Sequence, residues 1–379
     1  MAPHIVICGA GFGGLELTAR LSAAFGPELN ITLIDKNDAF IFGFSKFEIM
    51  FGRQSREDVS SHYTTIAKPG VEFRQEDILS IDPTTRRVKT DRDEYGCDIL
   101  VVALGADYVP EATPGFIEGG YEYYSVPGAA RLAGVLPTIE RGRVVISILG
   151  VPFKCPPAPY EGAFLLHDYL VELGVRNEIE MQLISPMPSP IPVSPTASAA
   201  IVGALKDRDI GVRFGHRVHS IDPASKTATM GDEEIPYDVF IGIPVHKAPD
   251  VVQASGLTEG GTDGWVKVDK TNLRTPYAGV YALGDCADAP VPRAGSLAES
   301  AARAVADDIG ATVRSETFDA PYEGRGVCFV EFGRGEIGMV NVDFLSGPTP
   351  QAPLVGPSRD LRRKKDEWGA ERRKRWFGL

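Results

Sequence analysis

The sequence predicts an α/β fold of two Rossmann-like domains followed by a carboxyl-terminal membrane-associating segment. Three observations carry that expectation: apolar runs of strand length that close on glycine, a strand–helix–strand pattern that recurs about 140 residues later, and a reversal of charge over the last 21 residues. A length of 379 residues accommodates two or three domains with substantial cores. The composition, 43% hydrophobic and 24% charged, is that of a globular chain. Its net charge of −12 excludes a general nucleic-acid binder, which needs a basic face to displace counterions from phosphates. No run of 18 apolar residues occurs, so no transmembrane helix is expected. The chain opens on an apolar strand rather than a charged, cleavable leader, which predicts a cytoplasmic location. Thiols there are kept reduced, so the five cysteines are not a structural disulfide framework, and any pair that bonds is expected to be catalytic.

His4–Cys8 reads as a buried parallel strand, apolar except at its ends. It feeds Gly9-Ala10-Gly11-Phe12-Gly13-Gly14 and a helical pattern through Leu21. A second apolar strand then runs from Ile31 to Asp35, 21 residues beyond Gly14. In such a unit Gly9 permits the tight turn, Gly11 lets the backbone approach a pyrophosphate, and Gly14 allows close helix–strand packing. Phe12 and Gly13 open the helix, whose amino end offers unpaired N–H groups and a positive dipole to phosphates. Asp35 is placed to accept hydrogen bonds from an adenosine ribose, with Lys36 next to it in the same site. Two further apolar strands end on glycine, Ile99–Leu104 at Gly105 and Tyr277–Leu283 at Gly284-Asp285. These segments resemble the two-dinucleotide-binding flavoproteins, whose Gly-Asp element holds the ribityl chain of FAD. The resemblance implies FAD, with Asp285 accepting a ribityl hydroxyl bond. It also implies that the helix of Ala294–Ile309 points its positive end at the flavin pyrimidine.

Arg143–Leu149, a helical pattern from Glu161 to Leu173 and a strand at Ile179–Ile184 form the second strand–helix–strand unit. Its turn, Gly150–Tyr160, lacks the expected glycines, and four prolines there offer no N–H to a phosphate. The second strand runs into Ser185-Pro186, with no acid for a ribose. This copy is expected to bind NAD(P)H poorly. In place of the loop stands Phe153-Lys154-Cys155-Pro156-Pro157-Ala158-Pro159-Tyr160-Glu161. That stretch resembles the motif of sulfide:quinone oxidoreductases and of the flavoprotein subunit of flavocytochrome c sulfide dehydrogenase. Gly326-Val327-Cys328-Phe329-Val330-Glu331-Phe332-Gly333, 173 residues on from Cys155 at its cysteine, resembles the second redox-cysteine motif of the same families.

The resemblance spans most of residues 1–345. It implies that Cys155 and Cys328 form a disulfide or sulfur-bridged pair that hydrosulfide attacks by thiol–disulfide exchange. Electrons then pass through Cys328 to FAD and on to a quinone, with Glu161 as the acid/base. Lys154 either lowers the Cys155 pKa by its charge or points to solvent. Phe329, Phe332 and Phe344 are candidates for the quinone pocket, with core packing the alternative for each. Two departures matter. Sulfide:quinone oxidoreductases often carry a third cysteine where this chain reads Tyr123-Tyr124-Ser125-Val126, and some relatives tether FAD through a cysteine where it reads Ala39-Phe40-Ile41-Phe42-Gly43-Phe44-Ser45. A two-cysteine enzyme with non-covalent FAD is therefore expected. Cys8, Cys97 and Cys286 read as small packing residues, and the six histidines lack metal-ligand spacing, so no metal is expected.

Residues 359–379 hold nine basic and four acidic side chains, +5, against −17 on residues 1–358. On a helix Leu361, Trp368 and Leu379 fall within about 20° of one another, with Trp376 about 60° away. This resembles an interfacial helix with aromatic anchors and basic residues for an anionic membrane surface, with a basic cap on the fold as the alternative. Proline-rich residues 347–357 read as the linker before it. The expected organisation is an FAD-binding domain of residues 1–108 with 246–325, a central domain of 109–245, and a flavin-covering, membrane-anchoring region of 326–379. The expected function is oxidation of sulfide or a small thiol coupled to quinone reduction, peripherally on the cytoplasmic side of a membrane. Self-association into a homo-oligomer is left open. Alternatives are a type II NADH:quinone dehydrogenase, which needs the second glycine loop, and a thiol/flavin redox sensor without turnover.

Overall fold

Strand His4–Cys8 is apolar because neighbours cover it on both faces: Ile5 through Cys8 are fully buried. It is the middle strand of a five-stranded parallel sheet ordered Val280–Ala282, Ile99–Val102, His4–Cys8, Asn30–Asp35 and Val71–Gln75. The structure, a computed structural model, describes residues 2–317 and 321–378. Cys8 is level with Ile34 on one side and Val102 on the other, so Gly9, Asp35 and Ala103 emerge together at one rim. In open parallel sheets that rim is where ligands bind. Helix Phe12–Phe25 rises from it and packs, through Leu17 and Leu21, into one apolar cluster with Ala301, Val305 and Ile309 of helix Gly295–Arg314.

The second unit repeats the scheme. Its parallel sheet is ordered Gly120–Tyr121, Val239–Ile243, Gly142–Ile148, Ile179–Ser185 and Ile210–Phe214, with helix Ala158–Glu172 as the crossover after Gly142–Ile148. A three-stranded antiparallel sheet follows, formed by Arg325–Gly333, Glu336–Asp343 and Leu354–Ser358. The proline-rich stretch expected as a linker is thus partly a strand. Its place at the sheet edge is what tolerates Pro357, since an edge strand has one ladder to lose rather than two.

The carboxyl-terminal helix, Leu361–Phe377, forms where the charge pattern placed it, but its apolar face is turned to the protein and not outward. Leu361, Trp376 and Phe377 are 6%, 0% and 5% exposed, and Trp376 lies edge-on to Phe12 and Phe40. Leu379 lies outside the described residues. Two buried carboxylates explain the docking. Glu16 Oε2 accepts bonds from Arg375 Nε and Trp376 Nε1, each at 2.8 Å. Glu299 accepts from Arg372 Nε and Nη2 at 3.0 Å and from Arg375 Nη2 at 2.9 Å. A carboxylate at 0–1% exposure requires cationic partners, and this helix supplies them. The reading of Leu361 and Trp376 as membrane anchors is therefore corrected: they are core residues. No helix of the described residues is long and apolar enough to cross a membrane.

Candidate active site

A cavity of about 330 Å³ opens where the rim of the first sheet, the Cys155 loop and the antiparallel sheet meet. Gly11, Phe12, Gly13, Gly105, Gly284 and Asp285 line it from the first unit. The glycines of this turn differ in their surroundings. A Cβ on Gly14 would sit 1.9 Å from Gly9 O, and one on Gly9, at φ +101°, would sit 2.5 Å from Ala103 O. A Cβ on Gly11 would meet no protein atom within 4 Å, so the cavity beside it is open. Neither helix Phe12–Phe25 nor helix Gly295–Arg314 has a side-chain cap, and both begin on the cavity wall. Two uncapped amino ends with a bare glycine between strand and helix fit a dinucleotide such as FAD. Asp35 stands beside the glycine turn, its Oδ2 accepting from Ala10 N–H at 2.8 Å, while Lys36 is exposed beyond it. Burial raises the Asp285 carboxyl above its ordinary range, a group suited to share a proton with a hydroxyl.

Cys155, Cys328 and Glu161 line the same cavity, and both cysteines are free thiols. Cys155 is exposed to this space; its backbone, at φ +53°, occupies the left-handed region that costs a non-glycine residue energy. Its N–H donates to Arg293 O at 2.8 Å and its carbonyl accepts from Ala158 N–H at 2.9 Å, which holds that turn. Burial, then Glu161 and then Cys328 push the Cys155 thiol well above its ordinary pKa. Cys328, on strand Arg325–Gly333, is likewise raised by burial, opposed by the Ser296 hydroxyl 3.7 Å from its Sγ. Glu161 is 3% exposed, and desolvation lifts its carboxyl from 4.5 to about 7 against the pull of Lys365. Its Oε1 accepts from Glu331 N–H at 2.9 Å, and Glu331 is fixed in turn by Lys365 Nζ at 2.6 Å. A carboxyl that titrates near neutrality next to two thiols can take up and return a proton during thiol exchange.

Three expectations change here. Lys154 does not point to solvent, and burial, Glu161 and Cys328 rather than this ammonium dominate the Cys155 thiol: the Lys154 Nζ donates to Ala106 O at 3.0 Å and lies 4.5 Å from the centre of the Tyr108 ring. Phe332 and Phe344, 2% and 8% exposed, are core residues, Phe332 stacking on Phe164 at 5.6 Å. Of the three phenylalanines only Phe329 lines the cavity. The structure adds Lys46, Tyr123, Tyr124 and Trp368 to the wall. Trp368 was legible only as a helix-face aromatic. Tyr123 and Tyr124 occupy the stretch where a third cysteine was sought, which was the one signal for them.

Two uncapped helix ends and two thiols facing one cavity fit a flavoprotein oxidoreductase. The chain matches the model of the pyridine nucleotide-disulphide oxidoreductase family over residues 3–138 and 163–307, and it belongs to that family. The unmatched interval, 139–162, contains the proline-rich Cys155 loop. The chain is 26% identical over 310 residues to the mitochondrial sulfide:quinone oxidoreductase of Dictyostelium discoideum, covering 79% of this chain and 68% of that one. It is 25% identical over 363 residues to the type II NADH:quinone oxidoreductase of Staphylococcus aureus, covering 89% of each. Its fold is similar to the X-ray structure of the sulfide:quinone oxidoreductase of Aquifex aeolicus, with a TM-score of 0.86 at 23% identity over 97% of this chain and 90% of that one.

Proposed function

We propose that this protein oxidises sulfide, or a related small sulfur donor, and passes the electrons to a membrane quinone. The observation that carries this reading is that Cys155, Cys328 and the near-neutral Glu161 share one cavity with the dinucleotide rim. FAD, held without a covalent bond by Gly9–Gly14, Asp35, Gly105 and Gly284-Asp285, supplies two-electron transfer between the thiol pair and the quinone. In the bridged state hydrosulfide attacks Cys155 Sγ. The new S–S bond leaves a persulfide on Cys155, the Cys155–Cys328 bond breaks, and Cys328 departs as a thiolate with the electron pair. Glu161 receives the persulfide proton. The deprotonated persulfide and the Cys328 thiolate then rejoin as a sulfur-bridged pair, releasing two electrons toward the quinone.

Phe329, Trp368 and Phe44 offer an aromatic wall for a quinone: the Trp368 ring lies 6.2 Å from Phe329 and 6.5 Å from Phe44. The Trp368 Nε1–H is buried without a hydrogen-bond partner among the described residues. Approach to an anionic membrane surface, peripherally on the cytoplasmic side, runs through exposed Arg363, Lys364, Arg373 and Lys374 rather than through the tryptophans. Against NADH as donor stands the amino end of helix Ala158–Glu172. Its first N–H groups are consumed by Cys155 O and Pro157 O, and Pro157 and Pro159 have none. The test is anaerobic addition of sulfide to the FAD-loaded protein followed by quinone. Bleaching and reoxidation are expected, and loss of both in Cys155→Ser and in Cys328→Ser. Flavin reduction by sulfide that persists in the double variant sinks the thiol route, and bleaching without steady quinone reduction favours a sensor.

A further inference from the structure

The cavity wall beside Cys155 carries two ammonium groups that the exchange chemistry leaves without a task. Lys154 precedes Cys155 in the loop. Lys46 comes from the short helix Ser45–Met50, and its Nζ donates to Tyr124 O. The same tyrosine reaches back to the loop, its Oη donating to Cys155 O at 3.5 Å. Both lysines line the cavity with Cys155, and neither has a carboxylate within ion-pair distance among the described residues. Glu122, the acid acting on Lys46, is engaged elsewhere: its oxygens accept from Tyr124 N at 2.5 Å, Ser125 N at 2.8 Å and the Ser125 hydroxyl. His246, which meets the loop by accepting from Lys154 N–H at 3.3 Å, is driven by burial and Lys154 down to about 3 and brings no charge.

An ammonium has three donors, and each of these has one protein acceptor. The two ammonium groups oppose each other on one partly dry wall: burial and Lys154 together draw Lys46 down to about 8, while Lys154, lowered by burial, is raised overall by Tyr108, Asp285 and Asp107, neither carboxylate being within ion-pair distance. A small anion between them relieves that opposition. We infer that Lys46 and Lys154 form a monoanion site beside Cys155 that captures the deprotonated sulfur donor, a hydrosulfide or small persulfide anion, ahead of attack. The identity of the anion rests on the proposed function; the existence of the site does not.

The site can be read without turnover. In FAD-loaded Cys328→Ser protein, Cys155 is alkylated with iodoacetate, an anion, and with neutral iodoacetamide, and the modified peptide is quantified by mass spectrometry. Both reagents are attacked by the same thiolate with loss of iodide, so their rate ratio cancels the thiolate fraction and reports local charge. The ratio is expected to exceed that of a free cysteine peptide by about tenfold and to fall several-fold in Lys46→Met and in Lys154→Met, with Lys46→Arg keeping most of it. A ratio equal to the peptide's overturns the site even if neither variant folds, as does a ratio that both methionine variants leave unchanged. In the otherwise unsubstituted enzyme, Lys46→Met is expected to raise KM for the sulfur donor more than it lowers kcat. A rise seen with sulfide alone names hydrosulfide as the anion, and one shared with cysteine persulfide names the wider class. A high ratio without sulfide turnover leaves the site standing and removes the proposed function; turnover with an ordinary ratio does the reverse.

Discussion

Replacing Glu161 by glutamine separates what the carboxyl does for chemistry from what it costs the fold. Its pKa is lifted from 4.5 to about 7, so the folded state resists its ionisation. A raised acid costs nothing below its unfolded pKa. The penalty grows as pH climbs from 4.5 to about 7 and is complete above that. About 2.5 pH units at about 1.4 kcal/mol each is about 3 kcal/mol. Glutamine stays neutral and retains an oxygen to accept the Glu331 N–H that Glu161 accepts at 2.9 Å. Urea unfolding of the FAD-loaded protein is therefore expected to show Glu161→Gln more stable by about 3 kcal/mol at pH 8 and by less than about 1 kcal/mol at pH 5. Sulfide turnover in the same variant is expected to fall by about 10²-fold or more. Equal stability changes at the two pH values, or a loss at pH 8, would refute the view that burial sets the charge of Glu161.

Three other substitutions probe different parts of the molecule. Gly11→Ala is expected to leave the thermal midpoint of the FAD-free chain unchanged while weakening FAD binding, because the new Cβ meets only open space, whereas Gly14→Ala collides with Gly9 O and is expected to lose both; thermal scans and flavin retention on gel filtration distinguish the pair. Trp376→Ala is expected to cost about 3–5 kcal/mol in chemical denaturation, since it empties a fully buried site, while a membrane-anchoring tryptophan would cost nothing in solution.

The dinucleotide half was legible because its signal is local. Gly9 to Gly14 and Asp35 lie within one strand–helix–strand unit, and the parallel register that sets Gly9 beside Asp35 follows from the apolar runs themselves. The thiol motifs were legible as short strings, but the walls around them were not. Lys46, Tyr124 and Trp368 reach the cavity from three separate segments, and no local pattern announces such a meeting. Periodicity correctly gave the carboxyl-terminal segment an apolar face yet could not say what covers it. The answer lay in Glu16 and Glu299, more than 70 residues away, whose burial demands the arginines of that helix. The setting of Lys154 is illegible for the same reason, its acceptor being the Ala106 carbonyl 48 positions earlier. Pro357 suggested a linker because proline breaks a central strand, and the edge position that excuses it is a tertiary fact.

In the proposed reaction electrons enter through Cys155 and Cys328 and not from a nicotinamide. Anaerobic titration of the FAD-loaded protein, followed at the flavin absorbance, tests it directly when sulfide and NADH are added in separate cuvettes. Sulfide is expected to bleach the flavin within the turnover time and NADH to leave it oxidised. Rapid bleaching by NADH with none by sulfide would contradict it.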